Sequence, residues 1–274
     1  MRGVPVRDAV DSATVAIGAA GSDTARLDAE VLLAHVLGVD RAHLYLNPDR
    51  VVEGAAVRAF QDLVRRRSVG REPVAYLVGR RGFRNLELEV DSRVLIPRPE
   101  TETLVEVGLE LPQGARVVDV GTGSGALALA LKDERPDLDV LATDVSPGAL
   151  QVARANADRL GLVVTFLQTD LLDGVPAVDA VLSNPPYVAE ADRATLQREI
   201  TDHEPEVALF GGHDGFEVVR RLVTAAAATP AKLVALEIGA GQAAEAAAVM
   251  RQAGFETELR EDLAGIDRVV VGRR

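Results

Sequence analysis

Two periodicities divide the chain. In its first third, apolar residues recur at three- and four-residue spacing across Val6 to Ala19, Thr24 to Leu37 and Val57 to Val69, which predicts three amphipathic helices. Ser22 or Asp23 is placed to cap the second helix, and Gly38 follows its end. The run Arg65-Arg66-Arg67 reads as a solvated helix end near the negative pole of its dipole. Around Pro73 the period changes to alternation. Phe83 to Val90 sets Leu86, Leu88 and Val90 on one face, Val94 to Ile96 is a second short strand, and Asp91-Ser92-Arg93 between them reads as the turn of a β-hairpin.

From Ala115 onward strands and helices alternate. Strands are predicted at Arg116 to Val120, Val140 to Thr143, Val163 to Leu167, Val178 to Ser183 and Lys232 to Ile238, with Glu256 to Arg260 and Arg268 to Val271 at the end. Helices are predicted at Ala126 to Asp133, Pro147 to Leu160, Phe216 to Ala228 and Gln242 to Ala253. The second of these is opened by Ser146 as cap, with Pro147 at the first helical position. This alternation predicts an α/β fold, a doubly wound and mostly parallel sheet. The expected organisation is a helical domain over residues 1–75, a β-hairpin linker over 76–97 and the doubly wound domain over 98–274.

Composition narrows the function classes. A net charge of −12 argues against a large nucleic-acid footprint, which needs a basic surface, so no direct nucleic-acid binding is expected. With no cysteine there is no disulfide, thiolate nucleophile or Cys-ligated zinc. No apolar run reaches a membrane span and the N-terminus lacks a secretory core, so the expected location is the cytoplasm. His35, His43, His203 and His213 show no metal-like spacing, and no metal is expected.

Chemistry concentrates at four predicted strand ends. Val117-Val118-Asp119-Val120 runs into Gly121-Thr122-Gly123-Ser124-Gly125, a glycine-rich turn opening a helix, where a ligand can approach the backbone closely. Its spacing is not the G-x-G-x-x-G of dinucleotide enzymes, yet its place after the first strand of the array favours a nucleotide-like cofactor. Asp144 ends the next strand about 20 residues on, where an acidic residue takes ribose hydroxyls or else caps the following helix. Asp170 ends the third, where it could accept from an adenine amino group with Leu171 flanking the ring. Asn184-Pro185-Pro186-Tyr187 ends the fourth. Two prolines carry no N–H, so the carbonyls of Asn184 and Pro185 are free to face a ligand. Alone, the tetrapeptide is either a proline-stopped strand or a clamp for a flat –NH2 group; an adenosine-shaped ligand beside it favours the clamp.

At this point the residues resemble class I S-adenosylmethionine methyltransferases acting on planar amino groups. Glu72-Pro73-Val74-Ala75-Tyr76-Leu77-Val78-Gly79, then Leu95-Ile96-Pro97-Arg98-Pro99-Glu100-Thr101-Glu102, the glycine loop, Ser183 to Tyr187, and Glu204-Pro205 before Ala208-Leu209-Phe210-Gly211-Gly212 occur in the order seen in the PrmC/HemK family. Those enzymes are the glutamine-N5 methyltransferases of peptide chain release factors. The resemblance implies a Rossmann-like, seven-stranded methyltransferase domain behind a small helical substrate-recognition domain. It implies that Gly121 to Gly125 and Asp144 hold the methionine and ribose portions of S-adenosyl-L-methionine, with Asp170 and Leu171 bordering adenine. Asn184 also lies beside the cofactor. Leu171 stands where family members often carry an aromatic residue, and aliphatic packing would replace stacking there. On the acceptor side, Asn184 and the Pro185 carbonyl would receive the amide hydrogens of the release-factor glutamine, flanked by Pro186. Tyr187 would lie against its flat face, with Arg98 and Glu100 close to substrate. A sister activity on a ribosomal-protein glutamine shares the same core. Adenine-N6 methylation of nucleic acid shares the tetrapeptide but not the charge.

An amide nitrogen is a poor nucleophile, and no strong base is visible in the sequence. Positioning is the expected device. Acceptors at Asn184 and Pro185 would aim the nitrogen at the methyl donor, and a near-attack geometry lowers the barrier by roughly 7–11 kcal/mol.

Overall fold

Val6, Val10, Ala13 and Ile17 recur every three or four residues. In the computed structural model, which describes residues 3–274, they form the buried face of the helix Val6–Ala19. A two-residue strand before it, β1 (Val4–Pro5), pairs antiparallel with β2 (Val51–Val52). Helices Ala25–Leu37 and Ala55–Ser68 complete a core of Leu32, Leu33, Val57 and Phe60 with Val10 and Ile17. The chain forms two compact units. One runs to Gly79 and includes Gln197–His203; the other holds Arg80–Leu196 and Glu204–Arg274.

Two local expectations in the first unit are corrected. Neither Ser22 nor Asp23 caps the second helix: Thr24 occupies the cap position, and the Ser22 hydroxyl donates to Asp28 at 2.9 Å. Gly38 does end that helix, with φ of 62°. The three arginines are not one solvated end, because successive helical residues turn by about 100°. Arg65 is exposed and Arg66 pairs with Glu72. Arg67 falls on the face of Phe60, seven residues earlier, and is buried. It donates to Asp28 at 2.8 Å and to Glu199 at 2.7 Å, while Arg71 reaches Glu199 at 2.8 Å. Removing one partner of such a buried set costs about 3–5 kcal/mol.

The second unit opens with a hairpin of β3 (Arg80–Phe83) and β4 (Leu86–Glu89), closed over Arg84-Asn85. Its turn therefore lies earlier than expected, and Val94 to Ile96 is not a strand; the Val94 amide donates to the Asp91 carbonyl in a turn. β3 is exposed along Arg80, Arg81 and Gly82, so no apolar alternation marks it in the sequence. A seven-stranded sheet follows. Its strands are β5 (Arg116–Val120), β6 (Asp139–Asp144), β7 (Thr165–Gln168), β8 (Ala180–Ser183), β9 (Leu233–Glu237), β10 (Glu256–Glu261) and β11 (Asp267–Arg273). The order is β10-β11-β9-β8-β5-β6-β7, antiparallel at β10–β11 and β11–β9 and parallel elsewhere.

Strand chemistry explains the order. Every residue of β8 and β9 is buried, as central parallel strands covered on both faces require. At the edge, β10 is mostly exposed and charged, which discourages further pairing. Helices Glu102–Leu109 and Ala126–Glu134 cover one face with Leu104 and Leu129 against Leu182 and Ala235. Helices Glu217–Ala227 and Ala243–Gln252 cover the other with Leu222 and Met250 against Val181 and Leu236. Strand order reverses at β5, which lies between β6 and β8. Val120 is level with Thr143 and Ser183, so Gly121, Asp144 and Asn184 emerge together at the carboxyl ends, where ligands bind in such sheets. Among the described residues no helix is long and apolar enough to cross a membrane.

Candidate active site

β5 ends in a loop that its neighbours hold open. The amides of Gly121 and Thr122 donate to the Thr143 carbonyl at 2.8 and 2.9 Å. Gly121 and Gly123 adopt φ of 75° and 57°, a left-handed conformation that glycine tolerates without strain. A Cβ added at either position would point into open space, so a ligand can lie on bare backbone. Beneath the loop the buried Asp119 accepts from the Thr122 hydroxyl at 2.6 Å and from the Ala128 amide at 3.2 Å. Burial pushes its carboxyl up to about 7. Asp144, at the end of β6, accepts from the Gly123 amide and the Ser146 amide, each at 2.9 Å. Its pKa is raised by burial against those amide bonds. The Ser146 side chain caps the next helix at 3.2 Å from the Ala149 amide, so Asp144 is not the cap itself.

These strand ends enclose a cavity of about 360 Å³, within the range of small-molecule sites. Gly121, Thr122, Gly123 and Ser124 line it, as do Asp144, Asp170 and Leu171, and on the β8 side Asn184, Pro185 and Pro186. Leu171 has a left-handed φ of 52°, which costs a non-glycine residue about 1–2 kcal/mol, and its carbonyl accepts from the Thr143 hydroxyl at 3.1 Å. Asp170 is half exposed and ion-paired with Arg221, which also lines the cavity. A bare-backbone loop, the half-buried carboxylate of Asp144 and an apolar wall at Leu171 and Leu222 fit an elongated ligand with a ribose and a flat ring.

On the β8 side the Ser183 hydroxyl donates to the Val120 carbonyl at 2.6 Å and ties the end of β8 to β5. The Asn184 amide nitrogen donates to the Thr101 hydroxyl at 3.1 Å. Thr101 in turn donates to Glu237 at 2.6 Å, and both residues are buried. Burial pushes the Glu237 carboxyl up to about 7 against the bonds from Thr101 and Tyr187. Arg98 faces the cavity and is held by Glu204 at 2.6 Å; the same carboxylate accepts from the Ile96 amide at 3.3 Å.

Three residues singled out in the sequence do not reach the cavity wall. Gly125 turns the chain into helix Ala126–Glu134 and packs against Leu129. Glu100 lies in a separate depression with Glu102, Glu106 and Arg260, because the turn Pro99–Thr101 sends Thr101 inward and Glu100 outward. Tyr187 directs its hydroxyl to Glu237 at 3.3 Å, and its carbonyl accepts from Gln242 at 2.9 Å. Burial, then the Glu237 charge, keeps its phenol well above the usual range, which removes it as a base. No role for Thr101, Asp119, Glu204 or Glu237 is legible in the sequence. Asp119 and Glu237 each leave a signal, an acidic residue inside an apolar strand, and Thr101 and Glu204 stand in segments that carry the family resemblance without a role of their own.

Two family models and many known proteins match this chain. Residues 8–79 match the family model described as the PrmC N-terminal domain, and residues 99–229 match the methyltransferase small domain. The release factor glutamine methyltransferase of Deinococcus radiodurans is 42% identical over 98% of this chain and 98% of its own length. That of Mycolicibacterium smegmatis is 48% identical over 81% of this chain and 79% of its own. In fold, a methyltransferase from Pyrococcus furiosus superimposes with a TM-score of 0.54 at 19% identity, covering 69% of this chain and 88% of that one.

Proposed function

This chain belongs to the release factor glutamine methyltransferase family, and from that premise we propose how its residues carry out the reaction. It transfers a methyl group from S-adenosyl-L-methionine to the side-chain amide nitrogen of a glutamine in a peptide chain release factor. The glutamine is that of the Gly-Gly-Gln loop, and a release factor as substrate sets the reaction in the cytoplasm. One observation carries the assignment of roles: the glycine loop after β5 and Asn184-Pro185 after β8 border one cavity from adjacent parallel strands. A donor held by the first lies beside an amide held by the second.

S-adenosylmethionine, when bound, supplies an electrophilic methyl on a sulfonium. Everything else is positioning by the chain. Gly121 and Gly123 offer backbone without side chains, and Asp144 offers a carboxylate already braced by two amides. Leu171 and Leu222 provide apolar wall. Asn184 Oδ1 and the Pro185 carbonyl would accept the two amide hydrogens of the substrate and orient the nitrogen lone pair, so that the new N–C bond forms as the methyl–sulfur bond breaks, the thioether leaves and one amide proton passes to solvent. Arg98, fixed by Glu204, holds the rim of the acceptor side. The helical first unit serves substrate recognition. Among the residues expected at the substrate, Tyr187 acts from behind Asn184 rather than on the substrate face, and Glu100 lies away from this cavity.

Incubation with labelled S-adenosylmethionine and, separately, a release factor, a ribosomal protein and DNA tests the reading. Label is expected on the release factor alone and is lost when its loop glutamine is replaced. Label on ribosomal protein or DNA, or on a release factor lacking that glutamine, overturns it.

A further inference from the structure

An amide is useful as an acceptor only if its oxygen, not its nitrogen, faces the ligand. At Asn184 a chain of three side chains decides this. Asn184 Nδ2 is 3.1 Å from Thr101 Oγ1, and Thr101 Oγ1 is 2.6 Å from Glu237 Oε2. Tyr187 contributes its hydroxyl to the other carboxylate oxygen at 3.3 Å. An ionised carboxylate only accepts, and a threonine hydroxyl has a single proton. Thr101 must therefore spend its proton on Glu237 and can only accept from Asn184. An amide flipped the other way would set carbonyl oxygen against hydroxyl oxygen with no proton between them. Thr101 is 5% exposed and Glu237 1% exposed, so water does not stand in for either partner.

We propose that Glu237 is a positioning residue for methyl transfer, which through Thr101 fixes the Asn184 amide with Oδ1 toward the acceptor. The inference rests on the acceptor role given to Asn184 above and deepens it. Once Glu237 is protonated it can itself donate, Thr101 can reverse, and the two amide orientations lose their distinction. The groups acting on Glu237 are Thr101 and Glu100 from the turn Pro99–Thr101, Tyr187 beyond β8 and Arg268 on β11. Glu100 and burial favour the protonated form, while Thr101, Tyr187 and Arg268 favour the ionised one. With the carboxyl pushed up to about 7, the orientation is lost as pH falls through that value.

Two measurements test the relay. With release factor and saturating S-adenosylmethionine, wild-type kcat is expected to fall on the acid side of a limb near pH 7. Glu237→Gln should lower kcat about tenfold or more, abolish that limb, and leave cofactor affinity within about twofold. Thr101→Val should behave like Glu237→Gln, and Thr101→Ser should restore wild-type kcat. A limb that persists in Glu237→Gln, or wild-type kcat in Thr101→Val, overturns the relay. Without any substrate, the Asn184 side-chain amide resonance should shift through pH 7 in wild type and be pH-invariant in Glu237→Gln. A pH-invariant wild-type resonance also overturns it. If wild type fails to label the release factor while the resonance titrates as expected, the substrate assignment fails and the relay stands.

Discussion

The two halves of the cavity are made differently. The half at β5 and β6 is largely backbone: Gly121 and Gly123 in left-handed conformations, the Gly121 and Thr122 amides bound to the Thr143 carbonyl and the Gly123 amide to Asp144. The half at β8 is largely side chain, with Asn184 leaning on Thr101 and Thr101 on Glu237. Backbone is a robust binding surface, since each contact survives most side-chain substitutions. Side-chain relays orient one group sharply and fail together when one member is lost. The first half therefore suits holding a donor, and the second suits aiming an acceptor.

The largest effect separating the halves should come from Asn184→Ala. Turnover is expected to fall about a thousandfold, the loss seen when one preorganised polar contact to a reacting group is removed. Cofactor affinity by calorimetry should stay within about twofold. A large affinity loss with turnover intact at saturation would merge the two halves into one.

The next effect is on stability. Burial raises the Glu237 carboxyl from its ordinary value to about 7, so the folded chain holds a proton that the unfolded chain releases. That contribution is fully present below about pH 4.5 and is lost as pH rises through about 7. The difference in unfolding free energy between wild type and Glu237→Gln should shift against wild type by on the order of 3 kcal/mol across that window. Asp119, also raised by burial, is common to both proteins and cancels. Urea unfolding at several pH values checks this, and a flat difference would show Glu237 to be ordinarily acidic.

On the donor side, Asp144→Ala should weaken cofactor binding about ten- to a hundredfold, the worth of lost charge-assisted hydrogen bonds. It should leave turnover at saturating cofactor far less changed, the reverse of Asn184→Ala. The smallest effect tests the scaffold alone. Ser146→Ala removes the cap at the Ala149 amide and should cost about 1 kcal/mol of stability without changing either kinetic half. A kinetic change there would mean the cap positions Asp144 as well as the helix.

How far each half could be read from the sequence follows from how it is built. The glycine loop is one contiguous segment whose spacing carries its conformation, and Asp144 follows at the end of the next strand. Gly121 to Ser124 and Asp144 line the cavity, while Gly125 does not. Asn184-Pro185 was legible because two prolines mark a strand end. The part Thr101 plays was not, since its place in the Leu95 to Glu102 motif gives no partner until folding brings it within 3.1 Å of Asn184, 83 positions away. Glu237 lies 136 positions from Thr101, and only the neighbouring places of β8 and β9 in the sheet bring it near. For Tyr187, adjacency to Asn184-Pro185-Pro186 suggested a face for the substrate, and folding adds a partner that the sequence did not show: its hydroxyl donates to Glu237.

The same division holds for the fold. Periodicity determined helices such as Val6–Ala19 and Pro147–Leu160 and the strand Arg116–Val120, because local burial patterns repeat with the geometry of the element. It could not place β3, whose exposed arginines carry no alternation, nor tell Arg67 from Arg65 within one run of like charge. By itself the sequence determined most helices and the strands of the seven-stranded sheet, the glycine loop and the strand end that carries Asn184. Which way the Asn184 amide faces, which carboxylates are buried and which arginine is paired were decided only by tertiary structure. Those properties depend on partners far away in the chain and on the exclusion of water, neither of which has a local period.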